Sequence, residues 1–270
     1  QDSSPPQQAL QENPGFAFVV PTEFVELPSG GRFYPENHPL HGQSTIEIKQ
    51  MTAKEEDILT SRTLLKNGVA IDRVIQSLIT DKRVNSDSLL VGDRNAILIA
   101  ARVSGYGNEY NTTVSCPACG TTQEYSFDLN DAQMHTGNDD NALSLTSNGD
   151  GTFTTILPRT KVNVVFRLLD GNDEKAIVSQ AEHARKRNRP EQTVTNQIKS
   201  MVVSVNGDET PQALNYLIDN IPSLDARHLR TCYKVAAPNV DLTQFFTCEN
   251  CGHEQDMEVP LTADFFWPDR

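Results

Sequence analysis

Two pairs of cysteines are the residues best suited to carry chemistry in this chain. Cys116 and Cys119 form one CxxC pair, and Cys248 and Cys251 form a second pair much later in the sequence. Two intervening residues let both sulfurs of a pair reach one tetrahedral centre, and four thiolates complete the shell of a zinc ion at about 2.3 Å. A closed shell leaves no position for water or substrate. We therefore predict one structural zinc ion per chain, held by these four cysteines.

The sequences around the two pairs resemble each other beyond the cysteines. Residues 116–129 (CPACGTTQEYSFDL) align without a gap with residues 248–261 (CENCGHEQDMEVPL). Gly120 and Gly252 follow the pairs and can supply the left-handed backbone that turns the chain under a metal. Apolar residues then recur at every second position, as in a strand with one buried face. The pattern predicts a zinc ribbon built from two distant knuckles, each knuckle being a CxxCG turn and the strand after it.

Other uses of the cysteines follow from the same residues. A disulfide or a redox pair has CxxC spacing too, but two CxxCG copies with matching strands favour metal. His253 lies close enough to replace a ligand, although the complete set of four cysteines indicates a surface neighbour. A thiolate-only site also accepts iron. Cys232, the fifth cysteine, is expected to be a small buried apolar residue rather than a ligand.

The charge of the chain restricts its partners. A formal charge of -13 and an isoelectric point near 4.8 disfavour attraction to nucleic acid or to an anionic membrane. The residues around the knuckles include several acids and no Lys or Arg, so the ribbon should face protein rather than phosphate. One basic cluster is expected to be a solvated helix end, and it consists of Arg185, Lys186, Arg187 and Arg189. The predicted partners are proteins, with no nucleic acid, membrane or small-molecule substrate.

Sequence signatures of enzymes and of membrane insertion are missing. The chain contains no HExxH, GxSxG, GxxxxGK[ST] or GxGxxG motif, and its six histidines show no ligand spacing. No apolar run approaches the roughly 20 residues that span a bilayer. The N-terminal stretch lacks the basic start and apolar middle of an export signal. We expect a non-enzymatic, soluble protein without such a signal.

Apolar periodicity predicts the elements that must position the cysteines. Thr52 and Glu55 have the spacing of a capping box, so a helix should begin there. Further helices are expected over residues 69–79, 87–103, 172–180, 192–203, 212–218 and 223–236, with Gly105 and Gly107 stopping the third helical segment. Strands are expected over residues 24–27, 45–48, 153–157 and 162–168. Residues 130–151 are predicted to be a polar loop.

The predicted fold class is α+β, with a helical N-terminal half and a mixed α/β middle joined by the four-cysteine zinc ribbon. The expected divisions are a flexible N-terminal arm at 1–22, a mainly helical region at 23–111, the ribbon at 112–130 and 245–262, an inserted mixed α/β region at 131–244 and a C-terminal tail at 263–270. Aromatic residues near the two ends are either anchors for a partner or ordinary core residues, and they are Phe16, Phe18, Phe265, Phe266 and Trp267.

Several short stretches follow one another in a distinctive order. Residues 26–35 read ELPSGGRFYP and residues 51–56 read MTAKEE. RVSGYG at 102–107 precedes the CPACG knuckle, and LPR at 157–159 precedes FRLLDGNDE at 166–174. Across residues 23–261 this series resembles the T4-type bacteriophage baseplate protein family, whose members are associated with the hub or the wedges of a contractile tail.

The resemblance implies a component of the virion tail baseplate, made in the host cytoplasm and without enzymatic activity. Its partners would be other baseplate and tail proteins. A retained structural subunit is the expected role. An acidic chain with a flexible arm, polar loops and a bound metal suits a baseplate part that docks among several neighbours. A transient baseplate assembly chaperone is the alternative. A cellular zinc-ribbon adaptor is disfavoured by the acidic knuckles.

Overall fold

The structure is a computed structural model that describes residues 20–66, 68–259 and 263–266. Its helices are α1 (Ala53–Thr60), α2 (Arg62–Lys66), α3 (Ala70–Leu78), α4 (Val91–Tyr106), α5 (Gly171–Lys186), α6 (Thr193–Met201), α7 (Pro211–Asn220) and α8 (Ser223–Ala236). Its strands are β1 (Thr22–Glu26), β2 (Thr45–Lys49), β3 (Glu109–Ser115), β4 (Thr122–Asp128), β5 (Gln133–His135), β6 (Thr146–Ser147), β7 (Thr152–Ile156), β8 (Asn163–Arg167), β9 (Val202–Val205), β10 (Asn239–Asp241), β11 (Thr243–Thr247) and β12 (Glu254–Glu258).

The described part of the chain is a mixed α/β protein whose strand pairs are all antiparallel. β6, β7, β8 and β9 form a four-stranded sheet in that order, and the other strands form the pairs β1–β2, β3–β4, β5–β10 and β11–β12. Within the described ranges no helix is long and apolar enough to cross a membrane. Most of the predicted arm, together with Phe16, Phe18 and Trp267, lies outside the described residues.

The helices of the N-terminal region largely follow the predicted segments. Thr52 caps α1 in a capping box with Glu55, as predicted. The helix expected from residue 87 begins only at Val91, because residues 86–88 form a separate 3-10 turn and Leu89 and Leu90 are extended. Gly105 does not stop α4 as predicted, since the helix continues to Tyr106 and ends where Gly107 adopts a φ of 84°.

The ELPSGGRFYP stretch forms a loop that closes on α4. The N–H and Oγ of Ser29 donate to Asp93 at 3.0 and 2.6 Å, and Tyr34 Oη donates to the same carboxylate at 2.7 Å. Burial raises the pKa of Asp93, and the hydrogen bonds from Ser29 and Tyr34 oppose that effect. Gly31 has a φ of 71°, and a Cβ there would collide with the backbone of Leu40 and Gln43. The polar and glycine residues of this stretch therefore hold the β1–β2 connection against α4.

The capping carboxylate of α1 also links two neighbouring elements. Burial raises the pKa of Glu55, but hydrogen bonds from Ser77 of α3, from Thr52 and from Lys49 of β2 outweigh it and lower the pKa to about 2. The contacts from Thr52 N–H and Lys49 Nζ are both 2.9 Å long. A carboxylate whose pKa is depressed on folding stabilises the protein above its unfolded pKa and loses that effect as the pH falls toward the folded pKa.

Glu55→Gln is therefore expected to destabilise the protein in a pH-dependent way. We predict a loss of about 2–3 kcal/mol near neutral pH, which shrinks as the pH falls from about 4.5 to about 2. Urea unfolding of the unaltered protein and of Glu55→Gln at several pH values measures the difference in their free energies of unfolding. The titration of all other groups affects both proteins alike and cancels in this difference. A loss that stays constant across this pH range would contradict the assignment.

The region between the two CxxC pairs contains more strand than predicted. The expected polar loop at 130–151 includes β5, which pairs with β10, and β6, which pairs with β7. These strands are short and polar, so their backbone pairing leaves no periodic signal in the sequence. The helix predicted to residue 203 ends at Met201, because the next residues form β9 beside β8. The helix predicted over 172–180 continues to Lys186.

One buried cluster connects the N-terminal helices, the hairpins and the region between them. Polar contacts reinforce it: Arg94 of α4 pairs with Asp72 of α3 at 2.6 Å, and Lys175 of α5 reaches Asp72 at 2.9 Å and Asp87 at 2.6 Å. The two CxxC pairs are therefore positioned by one continuous packed interior.

The aromatic residues that the structure describes near the C-terminus are core residues. Phe265 and Phe266 belong to a 3-10 turn over Ala263–Phe266 and are 3% and 2% exposed. The Phe265 ring meets Tyr110 of β3 edge-on, with centroids 5.2 Å apart. Of the two roles that the sequence allowed, core packing is the one that the structure shows for these two residues.

Candidate metal centre

The two CxxC pairs lie at the ends of two matching hairpins. The first hairpin consists of β3 and β4, and the second hairpin consists of β11 and β12. Ser115 pairs with Thr122 beside the first turn, and Thr247 pairs with Glu254 beside the second. Both hairpins therefore have the same register relative to their cysteines, and the gapless alignment of residues 116–129 with 248–261 agrees with this.

The backbone of each turn folds in the same way. Cys116 N–H donates to Thr121 O at 2.9 Å, and Cys248 N–H donates to His253 O at 2.9 Å. Gly120 and Gly252 have φ values of 71° and 68° and donate to the carbonyls of Cys116 and Cys248 at 2.8 and 2.9 Å. A residue with a Cβ is strained at such a φ, which explains the glycine after each pair. The predicted left-handed turns are confirmed.

The four sulfurs converge on one point between the hairpins. Cys116 Sγ lies 3.7 Å from Cys251 Sγ, and Cys119 Sγ lies 3.8 Å from Cys248 Sγ. All four Sγ atoms lie within 4.8 Å of one another. Zinc–sulfur bonds of about 2.3 Å give a tetrahedron with edges of about 3.8 Å. The sulfurs are too far apart for disulfides, whose bond is about 2.05 Å, and their spacing fits a tetrahedral metal ion.

The cluster has a buried side and an exposed side. Cys116 and Cys248 are each 1% exposed, whereas Cys119 and Cys251 face solvent. Hydrogen bonds from Thr121 and then Asn250 lower the pKa of the Cys119 thiol to about 5. His253 N–H lowers the pKa of Cys251, but its sulfur neighbours outweigh this and raise it to about 12. A metal ion binds cysteines as thiolates, so binding here would release the protons that the thiols hold.

Contacts between the hairpins hold the two cysteine pairs together independently of the sulfurs. Tyr125 Oη of the first hairpin donates to Phe245 O of the second at 2.9 Å. Gln123 Oε1 accepts from Glu249 N–H at 3.0 Å. Asn250 crosses from the second turn to donate to Thr121 Oγ1 at 3.1 Å. The site is therefore shaped by the fold before any metal is considered.

Comparison with known proteins assigns the chain to a family. Residues 20–267 match the family described as T4 bacteriophage base plate protein. The chain belongs to this family. The membership confirms the resemblance carried by the short sequence stretches, and it supports a structural, non-enzymatic role in the phage baseplate. It also implies a place in the virion tail and association with other tail proteins.

No curated protein and no solved structure matches this baseplate protein.

Two of the sequence stretches that resemble the family have clear structural roles in the fold of this chain. The ELPSGGRFYP loop closes on Asp93, and Arg159 of the LPR stretch donates its N–H to Asp225 of α8 at 2.8 Å. In both stretches a backbone N–H is held by a buried carboxylate of a helix.

The structure separates the four cysteines from the other candidate ligands. His253 Nε2 lies 3.3 Å from Gln255 Oε1, and His253 is not part of the sulfur cluster. Cys232 is fully buried, with Sγ 3.4 Å from His228 Nε2, and burial raises the pKa of its thiol. Among the described residues, the four cysteines are the only group of three or more His, Cys, Asp or Glu side chains arranged to hold a metal ion.

Residues that sequence patterns did not reveal join the two hairpins. Gln123 and Gln255 are aligned in the two knuckles, yet only Gln123 reaches the opposite hairpin. Asn250 occupies the position that Ala118 has in the first knuckle, so the internal alignment gave no signal for it.

The predicted basic cluster lies at the end of α5, where Arg185 pairs with Glu191 at 2.9 Å on the surface.

Proposed function

We propose that this chain is a structural subunit retained in the contractile-tail baseplate, and that Cys116, Cys119, Cys248 and Cys251 hold one structural zinc ion in a zinc ribbon. The convergence of four reduced sulfurs at tetrahedral spacing supports the metal. Thiolates are soft ligands that suit zinc or iron, and matched CxxC knuckles on hairpins are typical of structural zinc sites. Family membership supports the place of this subunit in the baseplate.

The zinc would act as a staple rather than as a catalyst. Four thiolates close its coordination shell, so neither water nor substrate would have a position on the metal. The centre would join two pairs that are 129 to 135 residues apart along the chain. Closing a loop of that length corresponds to about 5 kcal/mol by the chain-entropy estimate used for disulfides. The zinc would thereby fix the inserted region, residues 131–244, against the N-terminal region.

The role of retained subunit predicts that the chain is present in finished tails. Quantitative mass spectrometry of purified tails should find it at a constant ratio to the other baseplate proteins. The control is the set of baseplate intermediates isolated from the same lysate, which should contain it at the same ratio. A chain that is abundant in intermediates and missing from finished tails would instead identify a transient assembly chaperone.

A further inference from the structure

The exposed face of α8 carries a row of basic side chains. Arg227, Arg230 and Lys234 are exposed and recur at helical spacing, so they lie on one face. Leu229 and Cys232 are fully buried on the opposite face. A basic row on an exposed helix face is by itself a solvated surface. In this molecule, however, the row forms one wall of a groove.

The groove has a volume of about 750 Å³ and lies between α8, the β5–β10 pair and the second hairpin. Its surface includes apolar groups, with Val235 from the end of α8 and Val240 from β10. His135 Nε2 contacts Val235 O at 2.9 Å and fastens β5 to α8. A concave surface that combines apolar area with a few charged groups is typical of a binding site.

The charges along the groove are unevenly distributed. Arg227 and Arg230 take part in none of the ion pairs among the described residues. Hydrogen bonds from Thr243 lower the pKa of Asp241, with smaller contributions from Lys234 and His135. Lys234 takes part in none of these ion pairs either, and the carboxylates of Asp241 on β10 and Glu258 on the second hairpin line the same groove. These acids leave the two arginines as the uncompensated cationic end of the groove.

Other exposed arginines of the described chain, such as Arg73 and Arg189, also take part in no ion pair, but Arg227 and Arg230 are the two that line this groove. Arginine presents a planar fork of donors that matches a carboxylate. Arg227 and Arg230 are separated by about 4.5 Å along the helix, and alternate side chains of an extended peptide are about 7 Å apart. Long arginine side chains can bridge that difference. An extended peptide could thus place two carboxylates on the arginines and its apolar side chains on the valines.

We propose that this groove binds an extended acidic segment of a neighbouring tail protein, with carboxylates paired to Arg227 and Arg230. The class of partner rests on the proposed baseplate role, whereas the chemistry rests on the groove alone. Charge complementarity favours an acidic peptide over a basic one. A polynucleotide is disfavoured because its continuous phosphates would also meet the carboxylates of Asp241 and Glu258, whereas a peptide can limit its charges to the end of the groove with the arginines.

Fluorescence anisotropy on the full-length protein tests the proposal with a labelled peptide that carries two glutamates at alternate positions near one end and valines in the remainder. The double variant Arg227→Glu/Arg230→Glu should bind this peptide about tenfold more weakly than the unaltered protein. Arg187→Glu/Arg189→Glu changes the net charge equally on the other basic surface and should bind as the unaltered protein does. Arg227→Lys/Arg230→Lys should retain part of the affinity, since it keeps the charge without the fork.

Each outcome of this experiment decides the proposal. An equal loss in both charge-reversal variants would show that net charge alone matters and would overturn it, as would no binding to the unaltered protein. Tighter binding of a single-stranded oligonucleotide than of the peptide would also overturn it. Zinc content and thermal unfolding of the same samples are independent readouts: a metal-free protein that still binds the peptide would reject the zinc site and leave the groove intact.

Discussion

Cys248→Ser is expected to abolish stable metal binding and to remove at least about 5 kcal/mol of the free energy of unfolding. Cys248 is one of the two buried cysteines among the four converging sulfurs, and its loss would open the link between the two hairpins. The free energy of unfolding of a native globular protein is typically about 5–15 kcal/mol. We therefore expect this variant to be largely unfolded at physiological temperature and to be missing from assembled baseplates.

Cys232→Ser is the matched control for that experiment. Cys232 is also fully buried, but it contacts Thr155 and His228 and lies outside the sulfur cluster. The Cys232→Ser variant should keep the full metal content. Its free energy of unfolding should fall by only about 1–2 kcal/mol, because one buried sulfur is replaced by a hydroxyl group. Urea unfolding and metal analysis of both variants measure the contrast. A Cys248→Ser protein that is as stable as the Cys232→Ser control would show that the cysteine cluster does not stabilise the fold by linking the two hairpins.

Arg102→Leu is expected to have the second largest effect, with a loss of about 3–5 kcal/mol. Arg102 is fully buried in α4, and burial lowers the pKa of its guanidinium. It donates to the carbonyls of Phe265, Gly107 and Glu109 at 2.7, 2.5 and 2.9 Å. A leucine would leave these carbonyls without their donor. Since β3 begins at Glu109, the variant would also loosen the base of the first hairpin.

Arg102→Lys separates the hydrogen-bonding geometry from the charge. A lysine keeps the positive charge but offers a single ammonium group in place of the planar fork. We expect it to be intermediate in stability between the unaltered protein and Arg102→Leu, as measured by chemical unfolding. If both variants were as stable as the unaltered protein, the three carbonyl contacts would not be important for folding.

The CxxCG turn and the strand after it could be predicted in each hairpin because each copy carries a complete local signal, whereas the preceding strands, β3 and β11, are not among the predicted strands. The CxxC spacing, the glycine at a positive φ and the alternating apolar residues such as Tyr125 and Phe127 all lie within a few positions of one another. The same pattern occurs a second time at residues 248–261, which makes a chance match less probable. The convergence of the two copies followed from chemistry, since two thiolates alone leave half of a tetrahedral shell open.

Features that depend on distant partners could not be predicted in this way. Arg102 lies in the RVSGYG stretch, but only the fold shows that its donors reach a carbonyl as far along the chain as Phe265. β5 and β6 are two or three residues long, and their partners β10 and β7 decide their conformation. The asymmetry between Asn250 and Ala118 likewise has meaning only after the two turns face each other.

Native mass spectrometry of the purified full-length protein is the most direct test of the proposed metal centre. The proposal predicts a mass excess of one zinc ion per chain, lost when the protein is denatured in acid, and free thiols in the denatured chain. A metal-free chain whose mass is lower by the hydrogens of two disulfides would contradict it. A metal-free chain with free thiols and undiminished stability would contradict it equally.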